Sequence, residues 1–519
     1  MIYESAVILS KAKNLKKTGG SKMAQIRVND LTFYYEDSYD NIFENVSFEI
    51  DTDWKLGFIG RNGRGKTTFL KLLMGQYEYR GTIKAPMAFE YFPYQIAAAD
   101  KSKNVIDIIE KWDASYELWK VCRELNLLEI EADLLYQPFE LLSGGEQTKI
   151  MLAVLFAKED AFLLIDEPTN HLDMAGRRQI KDYLCHKKGF ILVSHDRWFL
   201  DACVDHVLVI NKANITVSRG NFSQWWDNKQ REDAHELAEN ERLKKDINKM
   251  TKAARQASSW ADKVESTKIG KKAAGQEKSL DRRAYIGEKS RRMQMRRKNI
   301  EGRQQKAISE KGDLLKNIEQ TSELQLNALE YHKEVLIRAR DLALYYGERK
   351  VVADLAIELN VGECLFLKGK NGSGKTTLIK KIIGQDIKAT GTLEVPPSLK
   401  ISYVSQDTSF LKGSLSDFVE ASRIDEVLFR ALLRKMDFDR EQFDKKLEDY
   451  SSGQKKKVLL AKSLCERAHL YIWDEPLNYI DIFSRMQIED LIKKFRPTMI
   501  VIEHDKIFMD KLVKKVVEL

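Results

Sequence analysis

The 519-residue chain has five cysteines, Cys122, Cys185, Cys203, Cys364 and Cys465, and no C-x-x-C pair. That scatter argues against an iron–sulfur or zinc site and fits a reducing cytosol, and buried small apolar residues are the plainer reading. The chain also lacks any apolar run near the ~18–20 residues that a membrane helix needs. Its apolar runs are short, such as the strand-sized Ala161–Ile165 and Met499–Ile502. Neither a transporter with its own pore nor an exported protein is expected. An apolar patch at Ala6–Leu9 is too short for the core of a signal peptide, and basic residues follow it. Met1–Lys22 is basic and poor in structural signals. It is expected to be a disordered leader, or to precede a functional start at Met23.

Net positive charge is concentrated in one place. Lys and Arg number 23 against 11 Asp and Glu between Glu241 and Gln320, a net of +12 in a chain whose total is +8. Everything outside that window therefore sums to about −4. The window opens in an Ala-, Leu-, Lys- and Glu-rich stretch, Gln230–Val264, which predicts a helix. Ser266–Leu280 contains Gly270 and Gly275 and predicts a loop. A second helix is expected from Asp281 to Ile318. A segment this long is not a structureless connection. A helical hairpin fits, and helices of about 35–40 residues would project roughly 50–60 Å.

What the chain has in abundance is repetition. Gly60-Arg61-Asn62-Gly63-Arg64-Gly65-Lys66-Thr67 returns as Gly369-Lys370-Asn371-Gly372-Ser373-Gly374-Lys375-Thr376. Both fit the G-x-x-x-x-G-K-[ST] phosphate loop. Gln95 pairs with Gln406 (311 apart), Ser143 with Ser451 (308), Asp166 with Asp474 (308) and His195 with His504 (309). Five motifs repeated in register leave little room for chance. Two α/β nucleotide-binding domains follow, at residues 23–222 and 336–519, joined by a helical linker at 223–335. In each, a short apolar strand (Lys55–Ile59, Leu365–Lys368) feeds the glycine turn and a helix follows, the context a phosphate loop requires.

The chemistry follows from the residue types. Backbone N–H groups at a helix N-terminus suit a triphosphate, and the glycines let the backbone approach it. Gly60, Asn62, Gly63, Gly65 and Thr68, with Gly369, Asn371, Gly372, Gly374 and Thr377, are the candidate cradle. Lys66 and Lys375 would bridge the β- and γ-phosphates, and Thr67 and Thr376 would hold magnesium. Phe162–Ile165 and Leu470–Trp473 are apolar strands ending in Asp166-Glu167 and Asp474-Glu475. The aspartates are candidate magnesium ligands and the glutamates candidate polarisers of the attacking water. Histidines alone are more often structural, but the repeat makes His195 and His504 candidate γ-phosphate contacts.

Leu142-Ser143-Gly144-Gly145-Glu146-Gln147 resembles the signature motif of ABC ATPases. The resemblance implies that Ser143, Gly144, Gly145 and Glu146 close over the nucleotide held by the other domain. Ser451, Ser452, Gly453 and Gln454 would do so reciprocally. It also implies two ATPs sandwiched between the domains, with Gln95 and Gln406 completing the magnesium sets. Tyr35 and Tyr346 sit where these ATPases stack a ring on adenine; packing and stacking weigh equally for them. Ser452 departs from the pattern, since a glycine is expected there. Its Cβ and hydroxyl would loosen γ-phosphate contact at the site of Lys66, which implies unequal hydrolysis rates.

Two such domains, no membrane segment and a long basic linker resemble the ABC-F family over Met23–Leu519. Trp54–Thr68, Ile472–Tyr479 and Val501–Asp505 are similar in wording to its antibiotic-resistance branch, the Lsa-like proteins. The resemblance implies a cytoplasmic, ribosome-associated monomer that binds the exit site of the bacterial 70S ribosome. Its partners would be 23S rRNA and P-site tRNA, with neither DNA nor membrane. The linker would reach toward the peptidyl-transferase centre and displace lincosamides, pleuromutilins and streptogramin A drugs. A basic hairpin suits RNA phosphates. Its tip, about 258–285, offers Trp260 and Tyr285 for stacking and Lys271, Lys272, Arg282 and Arg283 for phosphates. A solvated coiled coil with Trp260 packed inside is the bland alternative. The competing functions are a housekeeping translation or ribosome-assembly factor, a transporter's ATPase subunit and a nucleic-acid clamp.

Overall fold

A computed structural model describes residues 24–35, 41–170, 172–211, 214–266, 295, 302, 324–370, 372–438, 440–512 and 515–519, with side chains left aside at 250 and 253–266. It places two α/β domains in one compact unit, Met1–Trp225 with Ser322–Leu519, and assigns Trp226–Thr321 to a second.

The first domain opens with β1 (Gln25–Phe33), β2 (Phe43–Asp51), β3 (Lys55–Ile59), α1 (Lys66–Leu73), β4 (Arg80–Lys84) and β5 (Ala88–Phe92). It continues through α2 (Val105–Trp112), α3 (Leu118–Leu127), α4 (Gly144–Ala157), β6 (Ala161–Asp166), α5 (Met174–Cys185) and β7 (Phe190–Val193). It closes with α6 (Arg197–Cys203), β8 (His206–Asn211) and β9 (Asn214–Arg219). The main sheet runs β5-β6-β7-β3-β8-β9, parallel except for β9, and a smaller antiparallel sheet runs β2-β1-β4. The buried strands β6 (AFLLID) and β7 (FILV) carry apolar residues on both faces, as a parallel sheet covered on both sides requires. Phe69 of α1 meets Phe43 of β2 and Phe58 of β3 edge-on, with centroids 5.9 and 5.4 Å apart. That cluster clamps the small sheet to the helix that starts at the phosphate loop.

Helix α7 (Phe222–Ser266) follows. It begins earlier than the expected Gln230 and its 45 residues correspond to roughly 67 Å at 1.5 Å per residue. The leader Met1–Lys22, the expected loop and nearly all of the expected second helix lie outside the described residues, as do Lys271, Lys272, Arg282, Arg283 and Tyr285. Trp260 lies on α7, with its side chain undescribed.

The second domain repeats the first. It comprises β10 (Val335–Tyr346), β11 (Arg349–Asn360), β12 (Cys364–Lys368), α8 (Lys375–Ile382), β13 (Ala389–Glu394) and β14 (Ile401–Val404). Then come α9 (Leu415–Ser422), α10 (Glu426–Lys435), α11 (Ser452–Cys465), β15 (Leu470–Asp474), α12 (Ile482–Phe495), β16 (Met499–Ile502), α13 (Lys506–Leu512) and β17 (Lys515–Glu518). The main sheet is fully parallel in the order β14-β15-β16-β12-β17, beside an antiparallel β11-β10-β13. No helix among the described residues is long and apolar enough to cross a membrane.

Candidate functional site: two clefts at the domain boundary

Both phosphate loops turn from the C-terminal end of a central parallel strand into a helix, where ligands gather in open α/β sheets. Gly65 and Gly374 cap the helices in the left-handed region, at φ 91° and 96°. A Cβ there would stand 2.6 Å from Ile42 in the first case and 2.6 Å from Val352 in the second. Glycine is thus required both by conformation and by space. The lysine at each helix start curls back under its loop. Lys66 Nζ donates to the carbonyls of Gly60 (2.7 Å) and Arg61 (3.1 Å), and Lys375 Nζ to those of Gly369 and Lys370 (both 2.9 Å). Burial lowers the pKa of both ammonium groups.

The carboxylates arrive from the neighbouring strand. Asp166 Oδ2 accepts from the Thr67 hydroxyl at 3.0 Å, and Asp474 Oδ2 from Thr376 at 3.0 Å. A hydroxyl and a carboxylate side by side are hard oxygen donors of the kind magnesium takes alongside substrate phosphates. Asp474 Oδ1 is buried without a hydrogen-bond partner among the described residues, which fits such a cation. The next residues, Glu167 and Glu475, are held at φ 51° and 48°, a conformation uncommon outside glycine. Burial pushes the Glu167 carboxyl up to about 8 and raises that of Glu475. His195 Nε2 lies 3.4 Å from Glu167 Oε1, and His504 Nε2 lies 3.9 Å from Glu475 Oε1. Burial depresses both imidazoles, His504 to about 4, so they are neutral near pH 7.

The first cleft, of about 600 Å³, gathers Tyr35, Asn62, Gly63, Gly65, Lys66, Thr67, Thr68, Asp166, Glu167 and His195 from the first domain. Ser451, Ser452, Gly453 and Tyr479 face them from the second. Ser451 caps α11 with a full capping box, its hydroxyl accepting from Gln454 N and its N–H donating to Gln454 Oε1. The α11 N-terminus therefore faces the phosphate loop. Asn62 Nδ2 donates across the boundary to the Tyr479 carbonyl at 2.8 Å, and Arg61 pairs with Asp437. Ser452 is exposed, so its side chain has room, whereas a Cβ on Gly453 would stand 2.5 Å from the Tyr479 carbonyl oxygen. The strict glycine of this signature is the second one.

The second cleft, of about 310 Å³, gathers Gly372, Gly374, Lys375, Thr376, Thr377, Gln406, Glu475, Asn478 and His504, with Leu172 and Arg177 from the first domain. Ser143, Gly144, Gly145 and Glu146 form the matching capping box at the start of α4 but do not line this cleft. Asn371 lies outside the described residues.

Two further expected residues stand apart from the clefts. Gln95 is exposed and lines neither, whereas Gln406 Nε2 donates to Glu475 Oε2 at 2.8 Å. Strand register explains the difference. Phe92 pairs with Ile165 and Val404 with Trp473, so the residue two beyond each is Tyr94 and Gln406. Gln95 is one residue late. Tyr91 serves Asp166 instead, donating to Oδ2 at 3.0 Å. Tyr346 is 78% exposed and lines no cleft, whereas Tyr35 bonds the Thr68 hydroxyl at 2.8 Å and meets Phe33 edge-on. Sequence reasoning missed Asn170 and Asn478, although Glu167-Pro168-Thr169-Asn170 and Glu475-Pro476-Leu477-Asn478 repeat at the same 308 spacing. It also missed Tyr91, Tyr479 and Arg177, for which no local signal exists.

Comparison with known proteins agrees with this geometry. The ABC transporter family model matches residues 43–170 and 352–478. The ribosome protection protein VmlR of Bacillus subtilis (strain 168) is 27% identical over 494 residues, covering 92% of this chain and 84% of its own. The energy-dependent translational throttle protein EttA of Escherichia coli (strain K12) is 24% identical over 529 residues, covering 92% and 89%. Among solved structures, the archaeal ribosome recycling factor aABCE1, in complex with ribosomal stalk protein aP1, superposes with a TM-score of 0.60 at 19% identity. That alignment covers 94% of this chain and 87% of that one, and at such identity it speaks for the fold. The chain therefore carries two ABC domains in tandem, each with a phosphate loop and an acidic strand end.

Proposed function

We propose that this chain is an ATP-driven ribosome factor that protects the peptidyl-transferase centre from lincosamide, pleuromutilin and streptogramin A drugs. The observation that carries the ATP-driven part is the first cleft, where Ser451–Gly453 of one domain face Lys66 and Glu167 of the other. A nucleotide bound there touches both domains, so binding favours closure, and loss of the γ-phosphate removes the contacts that reward it. Lys66 and Lys375 neutralise phosphate charge. Thr67 with Asp166, and Thr376 with Asp474, would hold magnesium, which when bound offsets the charge that develops on the phosphates. Glu167 and Glu475 orient and polarise the attacking water, with neutral His195 and His504 donating toward the γ-phosphate.

The ribosomal part is supported by the likeness to VmlR and by α7, a 45-residue helix leading into the basic window. The net positive charge of that window suits the phosphates of ribosomal RNA, with affinity that falls as salt rises. The comparable likeness to EttA favours the second reading, a translation factor without drug phenotype.

One experiment separates the two. A sensitive bacterium expressing the chain is challenged with lincomycin, tiamulin and a streptogramin A, beside a Glu167→Gln/Glu475→Gln control. Protection by the wild type alone is expected. With soluble protein present and no protection, the drug-protection reading fails and the translation factor stands.

A further inference from the structure

The two domains share most motif residues but differ at two buried positions near Glu475. Lys456 lies five residues after the signature serine Ser451, on α11, and is 2% exposed. Its ammonium donates to the carbonyls of Ser405 (2.8 Å) and Asp474 (3.1 Å). Glu503, 3% exposed, directly precedes His504. One of its oxygens accepts from Leu477 N and the other from His504 N, both at 2.8 Å. At the same places the first domain has Thr148, which bonds the Gly144 carbonyl of its own helix at 2.9 Å, and Ser194, which accepts from Asp196 N at 3.2 Å. Among the described residues neither bonds a neighbouring segment in this way.

The four backbone groups held by Lys456 and Glu503 surround Glu475. Ser405 precedes Gln406, Asp474 precedes Glu475, and Leu477 precedes Asn478. Gln406 and Asn478 both donate to Glu475 Oε2, at 2.8 and 2.6 Å. Glu475 Oε1 is left facing His504. At the first site Glu167 Oε1 is buried without a hydrogen-bond partner among the described residues, and Gln95 lies away from the cleft. The pair adds a positive and a negative charge, so the second domain gains no net charge by holding it.

We propose that Lys456 and Glu503 are positioning residues of the second site: they brace the segments that aim Glu475, and they make that site the faster of the two in ATP hydrolysis. A charge buried with several backbone partners fixes its surroundings more firmly than a hydroxyl does. A base held in one orientation needs no reorganisation when the water is attacked. This rests on the ATPase reading above.

The test uses the full chain and compares steady-state ATP turnover in two backgrounds. In Glu167→Gln only the second site retains its glutamate, and in Glu475→Gln only the first. Into each is placed Lys456→Thr with Glu503→Ser, the residues the first domain carries. In the Glu167→Gln background kcat is expected to fall by about tenfold or more while KM for ATP stays within about threefold, since a misplacement near 1 Å can cost 10²-fold in rate. In the Glu475→Gln background the swap is expected to change kcat by less than about twofold. Equal effects in the two backgrounds, an unchanged kcat, or a loss explained by a lower thermal midpoint would overturn the proposal. So would an active wild type whose Glu167→Gln variant has no turnover. A wild type without any ATPase activity would instead defeat the ATPase reading itself. Should the swapped protein not fold, Lys456→Gln with Glu503→Gln keeps size and hydrogen bonding, removes both charges and is read against the same outcomes.

Discussion

At the first site Glu167 sits 3.4 Å from His195, with Tyr91 on the neighbouring Asp166 and the start of α11 facing the phosphate loop from the other domain. At the second, Glu475 takes two amide donors and sits 3.9 Å from His504, with Leu172 and Arg177 of the first domain facing in place of the α4 start. One site is better faced by its partner domain and the other better braced from within. The lysine, threonine, aspartate, glutamate and histidine recur at both sites, so the difference comes from the residues around them. Closure and chemistry can therefore be tuned separately in one chain.

The largest expected effect tests that division directly. Glu167→Gln and Glu475→Gln together should reduce ATP turnover by about 10²–10⁴-fold, the usual worth of a general base. Singly, Glu475→Gln should cost more than Glu167→Gln; equal residual rates would erase the functional contrast between the sites.

Next comes the boundary that both sites share. Arg197 of α6 pairs with Glu489 of α12, both nearly fully buried, with Lys511 3.3 Å from the same glutamate. At the repeat-related positions stand Lys506 and Lys181, both cations near the Trp198 ring, at 5.4 and 5.1 Å. Removing one partner of a buried pair leaves the other stranded. Arg197→Ala is expected to cost about 3–5 kcal/mol in urea unfolding and Lys506→Ala under about 1 kcal/mol. Comparable losses would mean the boundary is held symmetrically after all.

A smaller effect sharpens the contrast in facing. Gly453→Ala places a Cβ 2.5 Å from a backbone oxygen of Tyr479, whereas Gly145→Ala meets only the Leu172 side chain at 3.3 Å. A backbone atom yields less than a side-chain tip. Gly453→Ala should slow turnover in the Glu475→Gln background by about tenfold, a loss near 1.4 kcal/mol, and Gly145→Ala should barely alter turnover in the Glu167→Gln background. Similar losses would show that both signatures are pressed equally.

The last test is pH. Glu167 has a folded pKa near 8, above the ordinary carboxylate value of 4.5, because it is buried. The folded state therefore holds a proton that the unfolded state has released. That contribution to stability is full below about pH 4.5 and is lost as pH rises toward 8. The thermal midpoint of the nucleotide-free protein should fall across that window, and Glu167→Gln should flatten the slope. An unchanged slope would show that Glu167 is ionised in the folded protein.

Much of this was legible in the residues. Lys55–Ile59 announced β3 because a short strand-like run ending in a glycine turn leaves little alternative, and a helix follows each phosphate loop, from Lys66 and from Lys375, as expected. Thr67 and Asp166, and Thr376 and Asp474, read from their motifs as candidate magnesium ligands, lie side by side in each domain. Gln95 shows where spacing fails. A single extra residue between β5 and the glutamine carries it out of the cleft, and one residue is invisible to an offset that already varies from 308 to 311. Tyr479 contributes a backbone carbonyl, which no side-chain pattern can announce.

The sequence by itself determined the two phosphate loops, the acidic strand ends, the repeat and the concentration of positive charge, because each depends on residue types within a short stretch. The tertiary structure alone decided which signature faces which loop, which glutamine reaches its glutamate, and that Lys456 and Glu503 brace one site only. Those depend on segments from 18 to 417 residues apart meeting within a few ångströms, and strand register and domain packing, which no local pattern encodes, set that meeting.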